Sequence, residues 1–215
     1  MKIIQMICAV FMTAAMISCD EHRDFPDTAM KTCDILCTDG KIVRYEDMVS
    51  HGKEPIAVVF HVNQSEDMPG TGYAVYLWDI HPEAFCDSIG VKQKTSASLT
   101  GYDGNTNTYS MYSSGCSPAA SAVFDLWYYG QSAYIPSVAE MRLLYMAKGA
   151  VNEYLKLCGG DVISDNPDEC WYWTSTEVED MDAAKSWLFS LASGALQETP
   201  KEQYHKIRPI ITLYH

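Results

Sequence analysis

Seven consecutive residues, Trp171-Tyr172-Trp173-Thr174-Ser175-Thr176-Glu177, constrain this chain more than any other stretch. Aromatic and β-branched residues favour an extended, half-buried backbone. Alternation along a strand sets Trp171, Trp173 and Ser175 on one face and Tyr172, Thr174 and Thr176 on the other. With bulky rings on both faces, the strand needs cover on at least one side. Glu177 and the acidic turn Val178-Glu179-Asp180-Met181-Asp182 mark where it leaves the core.

The chain of 215 residues is long enough for one domain and a tail. At 47% hydrophobic and 20% charged residues, it can fill a core and is not a disordered polymer. The formal net charge is −13, and no Lys/Arg cluster supplies the basic face that a nucleic-acid partner requires. The same charge argues against direct contact with anionic membranes.

Residues 1–18 read as an export signal. Lys2 is the only charge before Cys19, and Ile3 to Ile17 is apolar except for Gln5 and Thr13. That run is short for a membrane span. It ends in Met16-Ile17-Ser18-Cys19, which resembles a bacterial lipobox, with Cys19 as the lipidated mature N-terminus. An ordinary signal peptide cut near the same place is the alternative. Residues 19–32 then form a flexible acidic tether. The run from Asp20 to Asp27 is similar to the export tags of Bacteroides-type surface lipoproteins. The expected location is the outer membrane, lipid-anchored and surface-exposed, with the N-terminal lipid as the only membrane contact.

Cysteine usage fits export. Beyond Cys8 and Cys19, an even set remains: Cys33, Cys37, Cys86, Cys116, Cys158 and Cys170. Composition leaves their disulfide pairing open, and some can be buried thiols. Cys158 with Cys170 is the preferred pair. Cys33 and Cys37 lack the second close ligand pair of a zinc site.

Lys41 to Tyr45 reads as a short strand and Ile56 to Val62 as a buried one, its His61 a core or edge residue rather than a ligand. Tyr73 to Trp78 is the next strand, paired antiparallel with it. Thr100 to Tyr109, rich in Gly, Asn and Thr, reads as a surface loop. Asp103, Asn105 and Asn107 have the spacing of the first calcium-loop ligands. The glycine and the closing acid of such a loop are missing, so no calcium is assigned. Ser117-Pro118 opens a helix through Ala119, Ala122, Val123, Leu126 and Trp127, stopped by Gly130. Ser137 and Glu140 form a capping box before a second helix. Its buried stripe is Val138, Met141, Leu144 and Tyr145, it continues through Val151 to Leu157, and Gly159-Gly160 ends it. The acidic loop with Asp161, Asp165, Asp168 and Glu169 reads as solvated rather than as a cation site. Lys185 to Leu191 and Lys206 to Leu213 are further strands, with Pro209 implying an edge or a bulge.

Four elements in order carry a resemblance. They are Tyr134-Ile135-Pro136-Ser137 with Glu140 and Leu144, then Tyr172 to Glu177, then Ser186-Trp187 with Gly194, then Lys206-Ile207-Arg208-Pro209-Ile210. This order resembles the DUF1566-type (Lcl-like) domains of the C-type-lectin-like fold group, over residues 33–215. The resemblance implies an α+β fold of small antiparallel sheets, two or three helices and long loops. It makes Trp173, Ser175, Glu177 and Arg208 the structural motif. The chain departs from the calcium-dependent sugar-binding lectins, whose Glu-Pro-Asn and Trp-Asn-Asp triplets are missing. Asn166-Pro167-Asp168 is a partial echo.

The expected function is a surface-anchored, adhesin-like module that binds an extracellular glycan, protein or peptide. The alternatives are a structural or tip subunit of a surface fibre, and an enzyme or accessory factor of the formylglycine-generating-enzyme group. No catalytic residue, metal or cofactor is assigned. In relatives diversified by retroelements, the positions after the Trp-Ser-Ser-Thr-Glu-like strand carry ligand contacts. Here those positions are Glu179, Asp180, Asp182, Lys185, Gln197, Glu198 and Tyr204.

Overall fold

The computed structural model describes residues 29–126 and 133–214. Residues 1–28, which include the expected export signal, Cys19 and most of the expected tether, lie outside the described residues, as do Trp127 and Gly130.

The described chain is α+β, with two sheets and four helices. In order it runs β1 (Ile35–Cys37), β2 (Ile42–Val43), α1 (Tyr45–Ser50), β3 (Pro55–Val62), β4 (Gly72–Tyr76) and β5 (Ile80–Ala84). Then come α2 (Gly104–Ser114), α3 (Pro118–Phe124), β6 (Ala133–Tyr134) and α4 (Val138–Leu157). It ends with β7 (Trp171–Glu177), β8 (Lys185–Ser190), β9 (Leu196–Pro200), β10 (Tyr204–Ile207) and β11 (Ile210–Leu213). The first sheet has the order β2-β1-β3-β4-β11-β6 and is antiparallel throughout. The second has the order β5-β10-β7-β8-β9, with β10 and β7 parallel.

Period-2 alternation divides the apolar residues between two cores. Val58 and Phe60 of β3 join Val138, Met141, Leu144, Val151 and Leu155 of α4 in one core. Ala57 and Val59 of the same strand join Ala119, Ala120 and Val123 of α3 in the other. The second sheet divides likewise. Tyr172 and Phe189 enter the first core, and Trp173 and Leu188 enter the second.

The hydroxyl residues of β7 have a local job. The ladder to β8 shifts register between Trp173 and Glu177. Side chains replace the missing ladder bonds: Thr174 Oγ1 donates to the Trp187 carbonyl at 2.8 Å, and Ser186 Oγ to the Thr176 carbonyl at 2.7 Å. The freed backbone turns to α4, where the Ser175 N–H donates to the Pro136 carbonyl at 2.8 Å. Buried backbone groups are thereby satisfied without a regular ladder.

The capping box forms as expected. Ser137 Oγ accepts from the Glu140 N–H, and Glu140 Oε2 accepts from the Ser137 N–H at 2.7 Å. Glu140 is buried, and Oε1 accepts from the Tyr134 hydroxyl at 3.1 Å. Burial raises this carboxyl from 4.5 to about 7. A carboxyl that holds its proton more tightly folded than unfolded stabilises the fold fully below its unfolded value. That contribution is lost as pH rises through the folded value. The expected loss between pH 5 and 8 is on the order of 2 kcal/mol. Burial lowers His61 and His205, which gives the opposite slope. The measurement is therefore the difference between wild type and Glu140→Gln, whose amide still fits a capping box. Thermal melts at those two pH values should show a fall in wild type that the variant lacks. Parallel profiles would contradict it.

Five readings of the sequence are corrected. Thr100–Tyr109 is not a loop throughout, because α2 begins at Gly104. Its polar residues are bonded inward: Thr108 Oγ1 donates to the Gly104 carbonyl and accepts from the Ile135 N–H, and Asn107 bonds Asp103 and Ser96. The Lys41–Tyr45 strand shrinks to Ile42–Val43, and Tyr45 starts a helix. The described residues hold four helices rather than two or three. Lys206–Leu213 is two strands in two sheets, parted at Arg208-Pro209, and neither is an edge. Cys158 and Cys170 are not paired, and all six described cysteines are free thiols. Cys170 Sγ lies 3.2 Å from Ser190 Oγ, while Cys158 caps α4 with Cys37 among its electrostatic neighbours.

Arg208 sits where the chain crosses between sheets. Its side chain is fully buried, with Nε 2.6 Å from Asp79 Oδ1. Both terminal nitrogens donate to the Asp161 carbonyl at 3.0 Å, and Nη1 also reaches the Tyr76 and Leu77 carbonyls. The passage from β4 to β5 is thus held to the passage from β10 to β11 and to the start of the acidic loop. Gly160 is needed beside this junction, since a Cβ there would lie 2.5 Å from the Leu77 carbonyl oxygen.

Candidate functional site

A cleft of about 410 Å³ opens over the second sheet. Trp171 of β7, Leu188 of β8 and Gln197 of β9 line it, with Tyr204, His205 and Lys206 of β10 and Pro82 of β5. Pro167, Asp168 and Glu169 wall one side. The register explains this set. Leu188 pairs with both Trp173 and Gln197, and Trp171 lies two residues from Trp173 on the same face. On β10, the pairing with β5 shifts between His205 and Ile207, and Tyr204, His205 and Lys206 all border the cleft. A neighbouring hollow of about 300 Å³ shares Pro82, Glu169 and Lys206 and extends to Asp79, His81 and Ser164.

The floor is rigid. Trp173 is fully buried below, its Nε1–H donating to the Glu83 carbonyl at 2.9 Å. Its ring meets Phe85 and His205 edge-on, with centroids 5.5 and 5.1 Å away. Burial holds His205 below its ordinary value, so at neutral pH it is an uncharged imidazole that can both donate and accept. Lys206 lies 3.5 Å from Asp79 Oδ2, on the carboxylate that also pairs with Arg208. The cleft therefore offers one exposed phenol (Tyr204, 67% accessible), a half-buried indole, an amide, an imidazole and two carboxylates. Such a set can stack on an apolar ring face and bond hydroxyl groups around its edge.

The ligand positions expected from sequence do not form one patch. Gln197 and Tyr204 line the cleft. Glu198 lies opposite Trp187, on the other face from Gln197, and pairs with Lys185 at 3.0 Å. Asp182 pairs with Lys92 at 2.8 Å, and that hydrogen bond holds its carboxyl below the ordinary value. Glu179 and Asp180 are exposed in the turn, with Asp180 at φ 60°. Ser175 is buried in β7. Glu177 is a buried anchor, not a surface acid. It pairs with the buried Lys201 and accepts from the N–H groups of Gln93 and Thr95 at 2.9 and 3.0 Å. Lys201 also donates to the Val91 and Asp182 carbonyls, so the pair fixes the 91–95 segment against the turn.

Sequence reasoning missed Trp171, His205, Asp168 and Glu169 as lining residues. One signal was available: three consecutive amphipathic or polar residues, Tyr204-His205-Lys206, break the alternation that a covered strand shows. The acidic loop does not gather into one cation site. Asp161 Oδ2 accepts from the Asp79 N–H, Asp165 pairs with Lys148, and Asp168 and Glu169 face the cleft. None of the described helices is long and apolar enough to cross a membrane. No family model matches this sequence, and no curated protein matches it significantly.

Proposed function

We propose that this chain is a lipid-anchored cell-surface binding protein. Its domain is a C-type-lectin-like fold of the Lcl-like type, and it holds an uncharged extracellular glycan in the cleft over Trp171. The order of the capping-box, Trp-Thr-Ser-Thr-Glu and Arg-Pro motifs supports the fold. Each of them sits at a structural junction rather than on the surface. The observation that carries the ligand reading is the cleft lining: Trp171 and Tyr204 beside Gln197, His205, Asp168 and Glu169. Sugars present apolar C–H faces and many hydroxyl donors, which aromatic rings and carboxylates receive together. A polyanionic ligand meets a chain of net charge −13 and a cleft with one lysine. The cleft volume lies within the range of small-ligand sites.

The test is a glycan array probed with the chain from residue 20 onward. Binding to neutral glycans is expected. Trp171→Ala with Tyr204→Ala should lower affinity by at least about tenfold, or about 1.4 kcal/mol. The melting temperature should move by no more than a few degrees, because both side chains lie at the surface of the sheet. A double variant that binds like the parent contradicts the site. Binding only to anionic polysaccharides contradicts the ligand class.

A further inference from the structure

The sulfurs of Cys86 and Cys116 lie 3.6 Å apart, although 30 positions separate them in the chain. Cys86 is buried just after β5, and Cys116 is half-buried between α2 and α3. Their backbones are already fixed side by side, since the Asp87 N–H donates to the Cys116 carbonyl at 3.1 Å. Gln93 Nε2 donates to both sulfurs, at 3.1 and 3.3 Å. The Ser114 hydroxyl lies 3.3 Å from Cys116 Sγ. With the Asp87 carboxylate, the two sulfurs lie within 4.8 Å of one another as a three-ligand group. Three ligand atoms fall one short of a closed structural zinc site, whereas the two sulfurs already stand side by side as a thiol pair.

We infer that Cys86 and Cys116 are a dithiol pair that closes to a disulfide by exchange with an external disulfide. The roles follow from environment. Burial pushes the Cys116 thiol up, but hydrogen bonds from Ser114, Gln93 and Cys86 outweigh it and hold it below the ordinary value. Burial pushes Cys86 up. A half-exposed sulfur with thiolate character attacks first, and a buried neighbour resolves. Cys116 loses its proton and attacks one sulfur of the external disulfide. That S–S bond breaks, a mixed disulfide forms on Cys116, and one thiolate leaves and takes up a proton. Cys86 then loses its proton and attacks Cys116 Sγ, expelling the second thiolate, which is protonated in turn. Two protein thiols are oxidised and the external disulfide is reduced to two thiols. The product ties the end of β5 to the junction of α2 and α3.

The test uses the full chain with oxidised glutathione, followed by peptide mapping without reduction. A linked Cys86–Cys116 peptide is expected, with Cys33, Cys37, Cys158 and Cys170 free. The oxidised protein should melt roughly 5–10 °C above the reduced protein. Cys86→Ser should accumulate a glutathione adduct on Cys116, at least about tenfold faster than Cys116→Ser forms one on Cys86. Free Cys86 and Cys116 after exposure, or either linked to another cysteine, would overturn the pair. Equal adduct rates in the two variants would overturn the assignment of Cys116 as the attacking thiol.

Discussion

Replacing Arg208 with alanine is expected to destabilise the fold by about 3–5 kcal/mol, the range for breaking a buried charge pair by removing one partner. Three losses coincide. Asp79 loses its nearest cation and keeps only Lys206 at 3.5 Å, the carbonyls of Tyr76, Leu77 and Asp161 lose their donor, and two chain crossings lose their common support. Urea denaturation measures the loss. The double variant Arg208→Ala with Asp79→Ala should recover part of it, because the half-buried carboxylate that lost its guanidinium is gone. A single variant within about 1 kcal/mol of wild type would show that the guanidinium does not hold the two sheets together.

Trp173→Ala is expected to cost a similar amount, about 3–5 kcal/mol, by leaving a cavity among Phe85, Leu188 and Ile207. It also removes the donor to the Glu83 carbonyl. Trp171→Ala is the internal control. It lies on the same strand face two residues away, yet borders the cleft, and should cost under about 2 kcal/mol. Equal losses at the two positions would mean that Trp171 is core and that the cleft has no free aromatic wall.

The cores were legible because their signals are local. The continuous apolar run of β3, the alternation in β7 and the Ser137–Glu140 spacing are each signals carried by a few consecutive residues. Helix α2 was not legible. Its buried Asn107 and Thr108 are held by hydrogen bonds to residues distant in sequence, so its polar surface gave no apolar stripe. The break at Arg208-Pro209 was missed for a similar reason. Ile207 and Ile210 look continuous in sequence, while the crossing between sheets depends on Asp79 and Asp161. The cleft was half legible. Gln197 and Tyr204 are among the ligand positions expected from sequence, but alternation alone does not separate Trp171 from Trp173 on the same strand face, and the acidic wall joins the cleft only through the path of the loop after α4. Lys185 and Glu198 looked like free ligand contacts, yet cross-strand pairing joins them to each other.

The glycan reading is tested most directly by the indole N–H signals of the five tryptophans in a nitrogen-15 NMR spectrum. The protein would be titrated with the strongest neutral binder from the array. Trp171 borders the cleft, whereas Trp187 lies on the opposite face of the second sheet and Trp78 does not line the cleft. The account predicts that the Trp171 signal moves to saturation while those of Trp187 and Trp78 stay in place. A Trp171 signal that does not move at saturating glycan would contradict it.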